Sequence, residues 1–400
     1  MYDCIIVGAG PSGMMCAITS GQTNKKTLLI EKNLELGKKM KLSGGTRCNI
    51  TNLKAVDLFI KNLPTKNGRF LFSALNNFSP LNIYHYFENL GIKLKTENDN
   101  RVFPVSNKAS DFITALGNEL TKNHVEVLTN TTVLEVEKNQ HFKIITSAGI
   151  YYTQKLVIAT GGLSYPHTGS TGFGLEIAKQ FNHHITELFP TESPLISHDE
   201  VIISKLLQGL SFPNITLSLL QDGKVIKKIT DDLIITHFGL SGPCALKLSQ
   251  FVYHKLKENK AVAIQIDFIP QINSESLLEI LKINRNEDNL LKYLTKILPK
   301  RLADYFYHKL SSLSNQQILL LNNLIKKFTI KIHEVKPIQV AFVTGGGVAL
   351  KEINPKTMES KLVPGLYFIG EVLDIHGYTG GYNMTIALAT GYTAGFTTLL

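Results

Sequence analysis

The chain has 400 residues, of which 44% are hydrophobic and 18% charged, with no homopolymer tract and no charged tail. This composition excludes an intrinsically disordered protein and predicts more than one folded domain. Lys and Arg number 42 against 32 Asp and Glu, so the net charge is +10. A basic chain favours anionic ligands, and phosphate-bearing cofactors and nucleic acid both qualify.

The first ten residues contain no Lys or Arg and run directly into glycines, which is not typical of a signal or transit peptide. No stretch approaches the roughly 20 apolar residues of a membrane-spanning helix. The four cysteines lack the CxxC spacing of a zinc site or redox pair. We therefore expect a cytoplasmic protein with reduced thiols, no metal and no membrane partner.

The N-terminal segment predicts a strand, a glycine turn, a helix and a second strand. Residues 2–7 are an apolar run, the motif GAGPSG follows at residues 8–13, and a second apolar run, residues 27–30, ends at Glu31. A GxGxxG motif between a strand and a helix, with an acid about 20 residues further on, is a dinucleotide-binding fingerprint. Gly10 lets the backbone approach a pyrophosphate at the helix start, and Glu31 would accept hydrogen bonds from both ribose hydroxyls.

The next part of the chain mixes helical and strand patterns before it returns to a buried strand that runs into glycines. This order of elements is typical of layered FAD-binding folds rather than of simple dehydrogenases. Helices are predicted over residues 71–78 and 81–90, and strands over residues 124–130, 131–137, 142–146, 151–153 and 156–160.

Residues 191–334 differ in pattern from the segments on either side. Residues 191–270 alternate apolar and polar positions, which predicts a β-rich inserted domain of barrel-like type. Residues 271–334 have apolar residues at three- and four-residue spacings, which predicts a helical inserted subdomain. Residues 1–190 and 335–400 would then form one discontinuous dinucleotide-binding domain. The predicted fold class is α/β, a Rossmann-like domain of three layers (ββα) with these two insertions.

Two further segments carry cofactor-binding chemistry. Residues 37–52 form a loop of glycines, hydroxyls and amides with cations at Lys38, Lys39, Lys41 and Arg47. Near the C-terminus, Gly380 and Gly381 precede a helical pattern over residues 382–395. The free N–H groups at that helix start could stabilise negative charge on a reduced flavin, at N1 and C2=O.

Eight segments together resemble one family, the BaiN/YhiN-type flavoproteins, also called aminoacetone-oxidase-family FAD-binding enzymes, within the glutathione-reductase-like superfamily. The resemblance covers nearly the whole chain and implies FAD, three domains and oxidoreductase activity; one branch of the family reduces carbon–carbon double bonds of oxo-bile acids. The segments, in order, are VGAGPSGMMCA, LSGGTRCNITN, RVFPVSNKASD, ATGGLSYPHTGSTGFG, LFPTESPL, THFGLSGP, TGGGVALKEINPKTMESK and GLYFIGEVLDIHGYTGGYN.

The resemblance also implies which residues contact FAD, from the pyrophosphate to the ring. The pyrophosphate and ribose contacts would be Gly8, Gly10, Pro11, Ser12, Gly13 and Glu31. The contacts along the ribityl chain and ring would be Lys32, Lys39, Ser43, Gly44, Arg47, Cys48 and Asn49. The remaining contacts would be Val133 near adenine, Thr160 and Gly161 at a strand crossing, and Gly370, Glu371, Asp374, Gly380, Gly381, Tyr382 and Asn383.

Three residues are candidates for catalysis. Cys48 has no second cysteine nearby, which excludes flavin–disulfide chemistry and leaves a lone thiol near the ring. His237 lies in the segment THFGLSGP and would supply a proton, while Ser241 in that segment is expected to cap a helix that begins at Pro243. His376 stands where the family commonly has Asp, so any role for a carboxylate there is in doubt.

The function expected from the sequence is an FAD-dependent oxidoreductase that reduces a conjugated carbon–carbon double bond in a small organic substrate. NAD(P)H would be a transient electron donor, because the sequence holds no second GxGxxG motif after a strand. The alternatives are an amine or amino-acid oxidase, a flavoprotein that binds and modifies tRNA, and a non-catalytic redox sensor. A nucleic-acid partner is not expected, since the basic residues do not cluster along the sequence, and the oligomeric state stays open.

Overall fold

The computed structural model describes residues 1–22, 25–258 and 260–398. Contacts between residues divide the chain into two compact units. One unit joins residues 1–189 to residues 343–400, and the other contains residues 190–342. The first unit therefore contains both glycine-rich helix starts that the sequence analysis singled out.

The first unit is built on a seven-stranded sheet. Parallel pairing joins the strand that opens the chain to its neighbours on both sides, and two antiparallel strands complete the sheet. The strands are Tyr2–Val7, Thr27–Ile30, Glu126–Leu128, Val133–Lys138, Phe142–Thr146, Gly149–Ile158 and Leu366–Phe368. When each strand is named by its first residue, the order across the sheet is Glu126, Thr27, Tyr2, Gly149, Phe142 and Val133. Leu366–Phe368 also pairs with Gly149–Ile158.

One strand of this sheet changes partner along its length. The first half of Gly149–Ile158 pairs antiparallel with Phe142–Thr146, and its second half pairs parallel with Tyr2–Val7. The separate strands predicted over residues 151–153 and 156–160 are therefore one strand. The polar pair Gln154 and Lys155 marks the change of partner rather than a break, because Lys155 is itself in register with Cys4.

Helices and a small sheet complete the first unit. The helix Pro11–Gly21 is buried on every side except at Pro11, and it packs against both Ala109–Lys122 and Tyr382–Thr397. A three-stranded antiparallel sheet contains Thr51–Asn52, Arg101–Pro104 and Leu94–Glu97. The other helices of the unit are Val56–Lys61, Phe72–Asn77, Pro80–Asn89 and Phe173–Gln180.

The second unit has an antiparallel sheet and a helical part that share one apolar core, to which Leu217 of the sheet and Leu277 of a helix both belong. Its strands are Leu195–Ile196, Ser211–Gln221, Lys224–Ile235, Gly239–Ser241, Val262–Asp267, Phe328–Ile332 and Glu334–Val335. Its helices are Glu200–Ile203, Pro243–Lys257, Ser274–Ile283, Glu287–Ile297, Lys300–Tyr307 and Asn315–Lys326.

One predicted helix cap is wrong. The helix begins at Pro243 as expected, but its N-cap is Gly242 with φ of +85°, and no side chain caps it. Ser241 remains in the preceding strand, Gly239–Ser241. A Cβ on Gly242 would lie 3.0 Å from the carbonyl oxygen of Asp232, so the close approach of the backbone favours glycine over a capping serine.

The α/β class with a parallel sheet and additional antiparallel sheets is confirmed. The split of the insertion into residues 191–270 and 271–334 stays a prediction. Within the described part of the chain, no helix is both long enough and apolar enough to cross a membrane.

Candidate functional site

The turn before the first helix is closed on one side and open on the other. A Cβ on Gly13 would lie 1.9 Å from the carbonyl oxygen of Gly8, so the helix and the turn can pack this closely only without a side chain. A Cβ on Gly10 would meet nothing within 4 Å. Gly10 is the N-cap and no side chain accepts from the helix N–H groups, which leaves them directed at open space. This arrangement fits a phosphate group.

Glu31 lies buried at the end of the second strand, with its carboxylate fixed by three donors. Its Oε2 accepts from the N–H of Ala9 at 2.8 Å, and its Oε1 accepts from the backbone N–H and the amide of Asn33 at 2.9 and 2.6 Å. A carboxylate has about four acceptor positions, so Oε2 retains room for one more donor. The contacts of Glu31 with the ribose stay a prediction, and one acceptor position on Oε2 is open to a hydroxyl.

The segment that contains Val133 lies beside Glu31. The N–H of Thr131 donates to the carbonyl oxygen of Glu31 at 3.0 Å, and the N–H of Asn130 donates to that of Asn33 at 2.9 Å. Val133 is buried at the start of the adjoining strand. The residues assigned to the ribose and to adenine therefore occupy one end of the site.

A half-buried ion pair lies farther along the site. Lys39 Nζ is 2.8 Å from Glu371 Oε2, and Glu371 Oε1 accepts from the hydroxyl of Ser164 at 3.1 Å and the N–H of Thr344 at 2.9 Å. Burial acts to raise the pKa of Glu371, but Lys39 and these donors outweigh it and hold the pKa below its usual value. Glu371 is thus an anion with its oxygens occupied, and it positions Lys39 and the neighbouring loops.

Glu371 also lies next to two glycines of the predicted site. A Cβ on Gly161 would lie 3.6 Å from Glu371 Oε2, and one on Gly370 would lie 2.6 Å from the Oγ of Ser12 in the first helix. The segment around Glu371 therefore joins the strand-crossing loop to the helix start at Pro11. Asp374 follows in the same segment, and burial raises the pKa of its carboxyl.

The second helix start has a different surrounding. Gly381 is the N-cap of Tyr382–Thr397 with φ of +95°, a conformation that glycine adopts readily, and no side chain caps the helix. A Cβ on Gly381 would lie 2.4 Å from the carbonyl oxygen of Thr51. Asn52 donates from Nδ2 to the carbonyl oxygen of Gly380 at 2.9 Å. The first helical N–H groups thus emerge beside the strand Thr51–Asn52.

The side chain of Asn383 holds the loop before this helix rather than projecting away from it. Its Oδ1 accepts from the N–H of Gly377 at 2.8 Å, and its Nδ2 donates to the carbonyl oxygen of the same residue at 2.7 Å. Any contact of Asn383 with a ring is consequently left to its backbone N–H.

Arg47 is held by two neighbours on the small sheet. Its Nη1 lies 2.8 Å from Glu97 Oε1, and its guanidinium lies 4.0 Å from the centre of the Phe103 ring. Because Glu97 offsets its charge, Arg47 suits a positioning role better than a role as a free cation at the ring.

The residues present fit FAD at both ends. Among the buried side-chain oxygens without a hydrogen-bond partner in the described residues, two belong to residues of the predicted site, Asn49 Oδ1 and Thr160 Oγ1. Asn49 Oδ1 lies 3.0 Å from where a Cβ of Gly381 would be, and Thr160 Oγ1 lies 2.2 Å from that of Gly174. Unsatisfied buried oxygens cost free energy, so an acceptor left open beside a helix start is typical of a ligand site.

The three catalytic candidates differ in their surroundings. Cys48 is fully buried, and burial raises the pKa of its thiol to about 12, so it is not a thiolate at neutral pH. His376 is buried in the first unit against the ring of Phe189. His237 is exposed in a turn of the second unit, beside Phe238. The structure therefore gives Cys48 a packing environment, and the two histidines remain predictions as proton donors.

Several site residues escaped the sequence analysis because their partners are distant in sequence. Asn33 fixes Glu31, Ser164 and Thr344 fix Glu371, and Glu97 fixes Arg47. Asn33 was the easiest to find, since an amide two residues after the acid can bond back to it. The others come from segments that no local pattern connects to their partners.

A parallel sheet with a glycine-rich turn at its first helix defines a Rossmann-type dinucleotide-binding unit. The chain belongs to the HI0933-like family, because the family model described as "HI0933-like protein Rossmann domain" matches residues 2–397. This confirms the family recognised from the sequence.

Curated relatives match from end to end. The ribosomal RNA dihydrouridine synthase of Escherichia coli (strain K12) is 30% identical over 98% of this chain and 96% of its own length. The 3-dehydro-bile acid delta(4,6)-reductase of Clostridium scindens is 26% identical over 98% of this chain and 97% of its own.

Solved structures share the fold. The 3-ketosteroid-delta4-(5alpha)-dehydrogenase from Rhodococcus jostii RHA1 covers 100% of this chain and 97% of its own, with 11% identity and a TM-score of 0.55. A flavocytochrome c3 fumarate reductase in an open conformation covers 100% of this chain and 78% of its own, with 17% identity and a TM-score of 0.51.

Proposed function

We propose that this protein is an FAD-dependent reductase of a conjugated carbon–carbon double bond, and that its substrate is a uracil ring in ribosomal RNA. The observation that carries the proposal is the pair of relatives with end-to-end similarity. One is named for making dihydrouridine, which is uridine with its C5=C6 bond saturated, and the other for reducing a double bond of a 3-dehydro-bile acid. Both bonds are conjugated to a carbonyl group, so one reaction class accounts for both names.

The distribution of charge supports RNA as the substrate. Residues 38–108 contain twelve Lys and Arg against four Asp and Glu, a net charge of +8, while the rest of the chain accounts for the remaining +2. This segment also contains the predicted flavin loop. Its charge argues against the expectation, drawn from the dispersal of the basic residues, that a nucleic-acid partner is absent. Clustered cations favour a polyanion over a small neutral substrate.

The residues of this chain bind and orient. The N–H groups at Pro11–Gly21 hold the pyrophosphate, Glu31 holds one ribose hydroxyl, and the N–H groups at Tyr382–Thr397 stabilise the reduced ring. FAD held in this way would supply hydride-transfer chemistry for the β-carbon of the conjugated system, with NAD(P)H as the proposed source of the hydride. An acid of this chain would give a proton to the α-carbon, and we assign this role to His376, which lies in the first unit.

The direct test is nucleoside mass spectrometry of RNA treated with the purified protein. Unmodified ribosomal RNA transcript is incubated with the protein and NADH or NADPH, then digested to nucleosides. The proposal predicts dihydrouridine, 2 Da heavier than uridine, and none with a Gly10→Val variant that cannot hold FAD. If the flavin is reduced by NAD(P)H and no dihydrouridine forms, the substrate is not this RNA.

A second candidate substrate is a small conjugated ketone, favoured by the similarity to the bile-acid reductase. It is separated from the RNA substrate by supplying a steroid enone in place of RNA and following NAD(P)H oxidation. The amine-oxidase alternative predicts oxygen consumption with small amines instead, which an oxygen electrode measures. Faster turnover with either small substrate than with RNA would contradict the RNA proposal.

A further inference from the structure

A basic cavity lies on the first unit, outside the residues expected to contact FAD. It has a volume of about 680 Å³ and is lined by Asp57, Ile60, Lys61, Arg69 and Phe72. Phe72 is 53% exposed although it is aromatic, and Lys61 and Arg69 are exposed as well. A cavity with two cations, an accessible ring and a carboxylate has the groups that bind a nucleotide.

The cations of this cavity are not neutralised within the protein. Five other cations of residues 38–108 pair with carboxylates, among them Lys39 with Glu371, Arg47 with Glu97 and Lys54 with Asp99. None of the ion pairs found in the described part of the chain involves Lys61 or Arg69. Their charge is therefore directed to solvent and available to a phosphate group.

The cavity is adjacent to the helix start that is expected to hold the flavin ring. Asn62, which follows Lys61 directly, donates to the hydroxyl of Tyr382 at 3.5 Å. Leu63 Cδ2 lies 3.2 Å from where a Cβ of Gly377 would be, in the loop before that helix. A strand of RNA seated in the cavity would thus continue directly toward Tyr382 and Gly381.

We propose that the basic cavity binds a nucleotide that flanks the target uracil, an inference that rests on the proposed RNA substrate. Lys61 and Arg69 contact its phosphate, and the base stacks on the ring of Phe72. Asp57 accepts a hydrogen bond from the 2′-hydroxyl or from an exocyclic amine of the base. DNA has the exocyclic amine but lacks the 2′-hydroxyl. The cavity thereby fixes the RNA while the neighbouring uracil is placed at the ring.

The test compares two charge-removing variants of the whole protein. Lys61→Gln with Arg69→Gln removes both cations of the cavity, and Lys224→Gln with Lys228→Gln removes two exposed cations of the second unit as a matched control. Affinity for a ribosomal RNA fragment is measured by filter binding at several salt concentrations, with flavin absorbance as the check on folding. The cavity variant should bind RNA about tenfold or more weakly than wild type, and its slope of log K against log salt concentration should be smaller by about 1.5 units. The affinity of the control variant should stay within twofold of wild type.

Substitution of Phe72 tests the stacking contact. Phe72→Ala should weaken binding about fivefold or more without changing the salt slope, and Phe72→Tyr should restore it because the ring is retained.

The outcomes separate this inference from the proposed function. If wild-type protein forms dihydrouridine but the cavity variant binds RNA as tightly as wild type, only the cavity assignment is overturned. An equal loss in both charge variants overturns it too, because the contacts are then diffuse. If wild-type protein neither binds the RNA nor forms dihydrouridine, the RNA substrate and the cavity assignment fall together.

Discussion

Two helices of the first unit begin at a glycine in the same way, but the surroundings of the two helix starts differ. Both Pro11–Gly21 and Tyr382–Thr397 begin at a glycine N-cap without a side-chain cap. The helices pack closely, since a Cβ on Gly391 would lie 2.3 Å from the carbonyl oxygen of Ser12. The first start is closed by backbone on one side, where Gly8 and Gly13 are in contact, and open on the other, whereas the second is bordered by polar side chains.

This difference matches the chemistry expected at each end. A pyrophosphate carries fixed charge and needs only N–H groups, so backbone is sufficient at the first start. A flavin ring changes charge on reduction and faces a substrate, so it requires individual side chains whose hydrogen bonds suit each ring atom. Asn49, Asn52 and the loop fixed by Asn383 provide them at the second start. The predictions below test whether the two starts do hold opposite ends of one ligand.

The largest effect is expected at the first start, from two substitutions that differ only in position. Gly10→Val should fold normally and contain no FAD, because its side chain enters open space where the pyrophosphate would lie. Gly13→Val should lose FAD and unfold at lower temperature, since its Cβ would overlap the carbonyl oxygen of Gly8. Flavin absorbance and thermal unfolding measure both. A Gly10→Val protein that keeps its flavin would remove the pyrophosphate from this turn.

The next effect concerns the ion pair between the two starts. Lys39→Met removes the cation that most lowers the pKa of Glu371 and leaves burial opposed only by the donors of Ser164 and Thr344, so the pKa of Glu371 in the folded variant rises relative to wild type. The folded variant then holds a proton at pH values where the folded wild type does not, so its deficit in stability relative to wild type grows as pH rises and is complete at neutral pH. In the wild-type protein the pKa is lowered, so the contribution of Glu371 is present at neutral pH and is lost as pH falls below about 4.5.

We expect the Lys39→Met deficit to be about 1–3 kcal/mol at pH 7.5 and smaller at pH 5, measured by urea unfolding of the flavin-free protein. The matched control is Lys38→Met, which removes an exposed cation beside it. Adding Glu371→Gln to Lys39→Met should recover most of the loss. A deficit that does not change with pH would mean that Glu371 is not the group involved.

A smaller effect is expected at Asn49, where stability and binding should move in opposite directions. Asn49→Leu removes a buried oxygen without a partner, so the flavin-free protein should be stabilised by up to about 1 kcal/mol. FAD affinity should fall, because that oxygen borders the second helix start. Calorimetry with and without FAD measures both quantities. Unchanged FAD affinity would place the ring elsewhere.

The smallest effect tests whether the reduced flavin is stabilised by the backbone N–H groups of the second helix start or by the cations of the loop at residues 37–52. Tyr382 is the first helical residue, where proline fits and deletes one N–H group. Tyr382→Pro should lower the flavin midpoint potential by about 10–30 mV relative to Tyr382→Ala, which loses the same ring but keeps the donor. Gly381→Pro is unsuitable, since φ at Gly381 is +95° and proline requires a negative value.

Arg47→Ala is the comparison for the loop. Arg47 already pairs with Glu97, so its removal should shift the potential less than the loss of the Tyr382 N–H group. A larger shift in Arg47→Ala would assign stabilisation of the reduced ring to the cations instead.

The sequence predicted the parts of this site that depend on local pattern. The strands at residues 2–7 and 27–30, the turn between Gly8 and Gly13, and the helix after Gly381 all follow from short apolar runs and glycines. The strand Gly149–Ile158 was divided in error, because periodicity does not indicate where a strand exchanges one partner for another. The Glu371 pair and the basic cavity depend on contacts between distant segments, which no local pattern contains.

The most direct test of the account is the anaerobic flavin spectrum of the purified protein during one cycle. The protein should be yellow and should bleach on addition of NADH or NADPH. Addition of unmodified ribosomal RNA should restore the yellow colour, with one dihydrouridine formed per flavin reoxidised. A protein that is colourless after gentle purification, or a reduced flavin that RNA leaves bleached and that a small enone reoxidises, would contradict the account.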